Sequence, residues 1–110
     1  MDKQSITTQT GSFHALLINA LHDPKKAEAY LKVALDEYQE DGDMETFLLA
    51  LRNVTEARGG IGELAKQTHL NRQSFYNMLS SKGNPRLITL GKVLKALGFQ
   101  LSIEPILTGG

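Results

Sequence analysis

The chain predicts an all-α bundle of about five to six helices with one short C-terminal strand. Three observations carry that expectation. Apolar residues recur at three- and four-residue spacing through several stretches, each bracketed by helix caps or breakers. Residues 60–80, GIGELAKQTHLNRQSFYNMLS, read as two short helices joined by a tight turn. Phe99, Leu101 and Ile103 alternate with Gln100, Ser102 and Glu104, the period-two pattern of a half-buried strand.

Residues 1–12 are polar and without periodicity, which predicts a mobile tail. Residues 13–21 are apolar and suit a short helix or a packing arm. The first clear helix opens at Asp23-Pro24, with Asp23 as N-cap and Pro24 at the first helical position. Ala27, Tyr30, Leu31, Ala34 and Tyr38 form its apolar stripe, and Asp41-Gly42 stops it. Asp43 caps the next helix, with Glu45 in its first turn where the helix dipole favours an anion. Phe47, Leu48, Leu51, Val54 and Thr55 line its buried side, Arg52 and Arg58 lie towards its C-terminal half, and Gly59-Gly60 ends it. The two helices of the bihelical unit are expected at about 61–67 and 72–80. A turn-rich loop at 81–85 then leads to a last helix near 87–97, with Leu87, Leu90, Val93, Leu94 and Leu97 inward and Gly98 as its stop. Pro105 closes the strand. This divides the chain into an N-terminal arm (1–22, mobile or partly helical), one domain (23–104) and a loose tail (105–110).

Composition narrows the function classes. A length of 110 residues with 41% hydrophobic content supports one core. Aromatics at 6% and the lack of Trp leave little material for stacking on single strands. Without cysteine there is no disulfide framework, Cys-based zinc site or thiol nucleophile. Ala15–Leu21 is too short to span a bilayer and its flank too weakly basic for a secretory signal, so a soluble, cytoplasmic protein is expected. Net charge is zero, but it is unevenly placed. Residues 1–42 carry −3, whereas residues 60–97 carry +5 with Glu63 as their one acid. A basic block behind an acidic one points to a nucleic-acid face and a separate surface for another partner.

The bihelical unit sets the sharpest geometric demands. Its helices must touch at a small residue, which Ala65 supplies. The turn needs a residue in the left-handed backbone region, where glycine is easiest. His69 stands there, at a strain of roughly 1 kcal/mol. Leu70 tucks under the turn, and Asn71 caps the second helix by accepting from the N–H of Gln73 or Ser74. Phe75, Met78 and Leu79 follow the inner flank. Arg72, Gln73, Tyr76 and Asn77 are left on the outer one, and such a helix suits the DNA major groove.

ELAKQTHLNRQSFYNMLS followed by GNPRLITLGKVLKALGFQL resembles the helix-turn-helix of addiction-module antidote proteins, HigA-like, Xre-type antitoxins that include prophage versions. The similarity extends upstream through DPKKAEAYLKVALDE and METFLLALRNVTEARGG, covering roughly residues 21–103. It implies a lambda-repressor-like fold and a homodimer that binds operator DNA and represses its own gene while neutralising a small RelE-like toxin. Carried over by position, Arg72, Gln73, Tyr76 and Asn77 face the groove, and Asn71 and Ser74 take cap or phosphate roles. Lys66, Lys82 and Arg86 flank the unit as phosphate contacts, which position without reading sequence. The departures are His69, where the family usually has glycine, and Gly91, where it usually has a larger apolar residue. A palindromic operator would pair two copies with half-sites about 34 Å apart, through either the strand at 99–103 or the stripe of the helix at 23–40.

The plain alternatives are an αα-hairpin in a small bundle, a merely solvated outer face on the second helix, and ordinary surface charges at Lys82 and Arg86. His14, His22 and His69 lack metal or acid–base spacing, so no metal or cofactor is expected. Ser80-Ser81 beside Lys82 has no oxyanion hole, and the glycines at 59, 60 and 62 do not match a phosphate loop. No enzyme is read here. The functional expectation is a DNA-binding antitoxin, with an orphan prophage-type regulator or a purely protein-binding helical adaptor as alternatives.

Overall fold

The computed structural model describes residues 3–80 and 82–107, with side chains from Gly11 onward. Six helices follow in order: α1 (Lys3–Ala20), α2 (Pro24–Asp41), α3 (Met44–Ala57), α4 (Gly60–Thr68), α5 (Arg72–Leu79) and α6 (Leu87–Ala96). Helix α3 is the hub. It packs against α1, α2, α4 and α5, while α4 also packs against α5 and α6. Leu48, Leu51 and Val54 on α3 are wholly buried, each contributing about 1.5–3 kcal/mol of apolar burial. Leu64, Phe75 and Val93 bring α4, α5 and α6 onto the same core, also without exposure.

The caps act where the sequence places them. Asp23 accepts from Lys25 N–H at 2.9 Å, with Pro24 opening α2, and Gly42 closes that helix at φ 71° by donating to the Tyr38 carbonyl. Asp43 accepts from both the N–H and the hydroxyl of Thr46. The Thr46 hydroxyl is the main cause holding the Asp43 carboxyl below its ordinary range, helped by the Thr46 N–H. Tyr30 and Tyr38 sit half-buried at the edge of the α2 stripe. The Tyr30 hydroxyl accepts from buried Asn53 at 3.0 Å, and the Tyr38 ring tilts against Phe47 at 6.2 Å.

Three expectations are corrected. Helix α1 runs back to Lys3, so the segment expected as a tail up to residue 12 is helical from that point. It rests on α3 through Leu17 and Ile18, and His14 pairs with Glu56 at 3.4 Å. Residues 1–2, Ser81 and 108–110, expected as loose ends and loop, lie outside the described residues.

Leu87 does not face inward. It is 74% exposed beside Ile88 at 69%, because the first turn of α6 runs past the core. The buried stripe begins at half-buried Leu90 and continues through Val93, Leu94 and Leu97.

No strand forms among the described residues. Gly98, at φ 97°, reverses the chain after α6, with Phe99 N–H donating to the Leu94 carbonyl and Gly98 N–H to that of Lys95. These are the paired bonds of a Schellman cap, which leaves Phe99 folded back on the core. Beyond it the chain is irregular and Ile103 is fully exposed. A lone segment has no neighbour to complete a ladder, so of its apolar positions Phe99 packs on the core while Leu101 and Ile103 are exposed. This tail and α2 border a groove of about 830 Å³.

Candidate nucleic-acid interface

Gly59 and Gly60, at φ 119° and 86°, make the left-handed corner from which α4 starts. Glu63 occupies its first turn. At its other end Thr68 donates its hydroxyl to the Leu64 carbonyl at 2.8 Å, and the same oxygen accepts from Leu70 N–H at 3.4 Å. His69 is the turn residue, at φ 61°, the one non-glycine with positive φ among the described residues. Ala65 is 6% exposed, and Leu70 is half-buried beneath the turn.

Helix α5 begins with Asn71 in an extended conformation, its amide oxygen accepting from Ser74 N–H at 2.7 Å. Of the two donors expected from sequence, Ser74 is the partner. Phe75, Met78 and Leu79 are buried at 0%, 7% and 1%. Arg72, Gln73, Ser74, Tyr76 and Asn77 are exposed, with the Tyr76 ring half open to solvent at 52%. The Gln73 amide donates to the Asn77 side-chain oxygen at 3.1 Å, so these two, one turn apart, form a linked polar pair.

The structure brings Lys66, Asn71 and Arg72 to one notch of about 450 Å³ between α4 and α5, lined also by Gly62, Ala65 and Leu70. Two cationic side chains and the positive end of α5 converge there, which suits an anion. Lys82 and Arg86 are also exposed, but they stand on the loop beyond the far end of α5 rather than in the notch. From Leu64 to Ile103 the chain carries no Asp or Glu, so no carboxylate within this stretch opposes these cations.

Three supporting residues escaped sequence reasoning. Gly62 lies beside Arg72, whose guanidinium would stand in ordinary van der Waals contact, at 3.7 Å, with a Cβ there. Gly83 is sterically obligatory, since a Cβ there would overlap the Met78 carbonyl oxygen at 2.0 Å. Arg52, placed by the sequence towards the C-terminal half of its helix with no role, donates from α3 to the Leu79 carbonyl at the end of α5. The turn-rich composition of 81–85 hinted at Gly83, whereas nothing local signals the partners of Gly62 or Arg52.

Residues 12–105 match the family model described as "Probable addiction module antidote protein". The chain belongs to that family. A curated relative from Haemophilus influenzae, described only as an uncharacterized protein, is 31% identical over 78 residues, which cover 71% of this chain and 79% of the relative. No solved structure matches significantly. Membership of an antidote family makes this chain the regulatory, antitoxin-type member of an addiction module, with a toxin as its general class of partner. No helix among the described residues is long and apolar enough to cross a membrane.

Proposed function

We propose that this antidote protein is a sequence-specific DNA-binding repressor of the HigA-like, Xre type. In this reading it is a cytoplasmic homodimer with a lambda-repressor-like arrangement of α4 and α5, autoregulating the operon that encodes it and neutralising a RelE-like toxin. The observation that carries the reading is α5 itself. Phe75, Met78 and Leu79 fasten it to the core while Arg72, Gln73, Tyr76 and Asn77 stay exposed. Arg72 suits guanine O6/N7 and Gln73 suits adenine N6/N7, each bidentate pair supplying about 1–3 kcal/mol of discrimination. Asn71 and Ser74 at the helix start, with Lys66, Lys82 and Arg86 around it, take phosphate positions.

The toxin is assigned to the other half of the molecule. Glu28, Asp36, Glu37, Glu40 and Asp41 are all exposed on α2. A ribonuclease toxin must hold RNA phosphates with cations, and the net-acidic segment 23–41, on which Lys25, Lys26 and Lys32 are also exposed, opposes such a surface. An orphan regulator without a toxin remains the second reading, favoured only if no toxin gene neighbours this one.

Fluorescence anisotropy on duplex from the gene's own upstream region tests the proposal. Arg72→Ala with Gln73→Ala should abolish preference for that duplex over a scrambled one. Lys82→Ala should weaken both equally and lower the salt slope by about one. No binding of the wild-type protein at low salt would end the DNA reading, and failure to co-purify with a neighbouring gene product would end the toxin reading.

A further inference from the structure

Helix α5 has eight residues and no basic residue in its last turn. Its final carbonyls are met from outside the helix. Ser80 donates both its N–H and its hydroxyl, at 3.3 and 2.8 Å, to the Asn77 carbonyl, and Gly83 lies against that of Met78. The Leu79 carbonyl is met by Arg52 Nη1 at 3.1 Å, reaching across from α3.

We propose that Arg52 is a positioning residue that fixes the tilt of α5 on α3, and so decides whether Arg72, Gln73 and Asn77 present together to base edges. This rests on the DNA-binding reading above. The start of α5 is pinned by the Asn71 cap and the tight turn, so the helix is a short arm anchored at that end. Eight residues span about 12 Å, and a tilt of about 10° displaces the far end by about 2 Å, enough to break a hydrogen bond. A constraint at Leu79 therefore governs the angle far more than one near Asn71. Helix α3 is a rigid base for it, with Leu48 and Leu51 wholly buried before Arg52 in sequence and Val54 after it. The Arg52 charge is directed at this carbonyl rather than spent on its own helix. Glu56, four positions further on, lies against His14 at 3.4 Å rather than against Arg52. A cation at a helix C-terminus also complements the dipole, and the last turn of α5 carries none of its own.

The test uses the full chain with Arg52→Met, which keeps the stem and removes the donors, and Arg52→Lys, which restores a donor. Amide hydrogen exchange is followed along α3 and α5, and anisotropy is measured on the upstream duplex and on a scrambled duplex. Arg52→Met should raise exchange at Phe75–Leu79 with α3 unchanged. It should lower the upstream-to-scrambled affinity ratio about tenfold, the loss expected for one charge-assisted hydrogen bond, with the salt slope unaltered. Arg52→Lys should recover most of both. Unchanged exchange in α5 together with an unchanged affinity ratio overturns the proposal. So does a parallel loss on both duplexes with a shallower salt slope, which makes Arg52 a phosphate contact. A lower melting temperature with the ratio intact reduces it to a stability residue and overturns it as well. Equal affinity of the wild-type protein for the two duplexes sinks the DNA reading alone, and the exchange data still decide whether Arg52 holds α5.

Discussion

Of the fourteen residues of α3, eight are buried, whereas α5 buries three of its eight. The two helices touch, yet they are held in different ways. Helix α3 is secured by side-chain burial along its length, the kind of support that tolerates change at either end. Helix α5 is too short to persist alone, so Phe75, Met78 and Leu79 fasten it to the core while single contacts at its termini set how it sits. At one end stands the Asn71 cap, and at the other Arg52 and the close approach of Gly83. The difference separates two properties that are often conflated. Burial runs along the whole of α3, whereas the geometry of the exposed face depends on a few polar and steric contacts around α5.

Substitutions can break this contrast or sharpen it. The largest effect is expected from Leu51→Ala, which empties a fully enclosed site and should cost about 2–5 kcal/mol in urea unfolding, with every helix lost together. Gly83→Ala should cost about 1–3 kcal/mol, because the carbonyl it strikes is backbone and cannot swing aside. Its exchange signature should centre on α5 and the following loop. If the two variants gave the same pattern of exchange along the chain, the distinction between the helices would fail. Asn71→Ala should remove about 1 kcal/mol by orphaning the Ser74 N–H, visible as a modest drop in melting temperature. The smallest change is expected from His69→Gly. Relief of roughly 1 kcal/mol of left-handed strain is offset by the greater freedom of glycine in the unfolded chain, so the midpoint should stay or rise slightly.

The parts of this fold legible from the chain were those decided within a few residues. Asp23-Pro24, Asp43 and Asn71 mark helix starts by bonds to N–H groups two or three positions on, and Gly42 ends α2 by its own backbone angle. His69 was placed in the left-handed region by the geometry of the turn alone, and the inner and outer flanks of α5 followed from helical spacing. Three features were not readable in that way. The strand at 99–103 required a neighbour that spacing does not supply, and the Schellman cap at Gly98 turned the segment aside. Leu87 obeys the helical repeat, but the repeat says nothing of where the core ends. Arg52 meets a carbonyl 27 positions later, and a backbone acceptor leaves no trace in residue identity.

The uninterrupted stretch from Leu64 to Ile103 without a carboxylate has one more consequence. Lys66, Arg72, Lys82, Arg86, Lys92 and Lys95 therefore add to one field, with no carboxylate of the same stretch to offset it. Dissolved ions, which shorten the reach of its field, are the variable to which it responds.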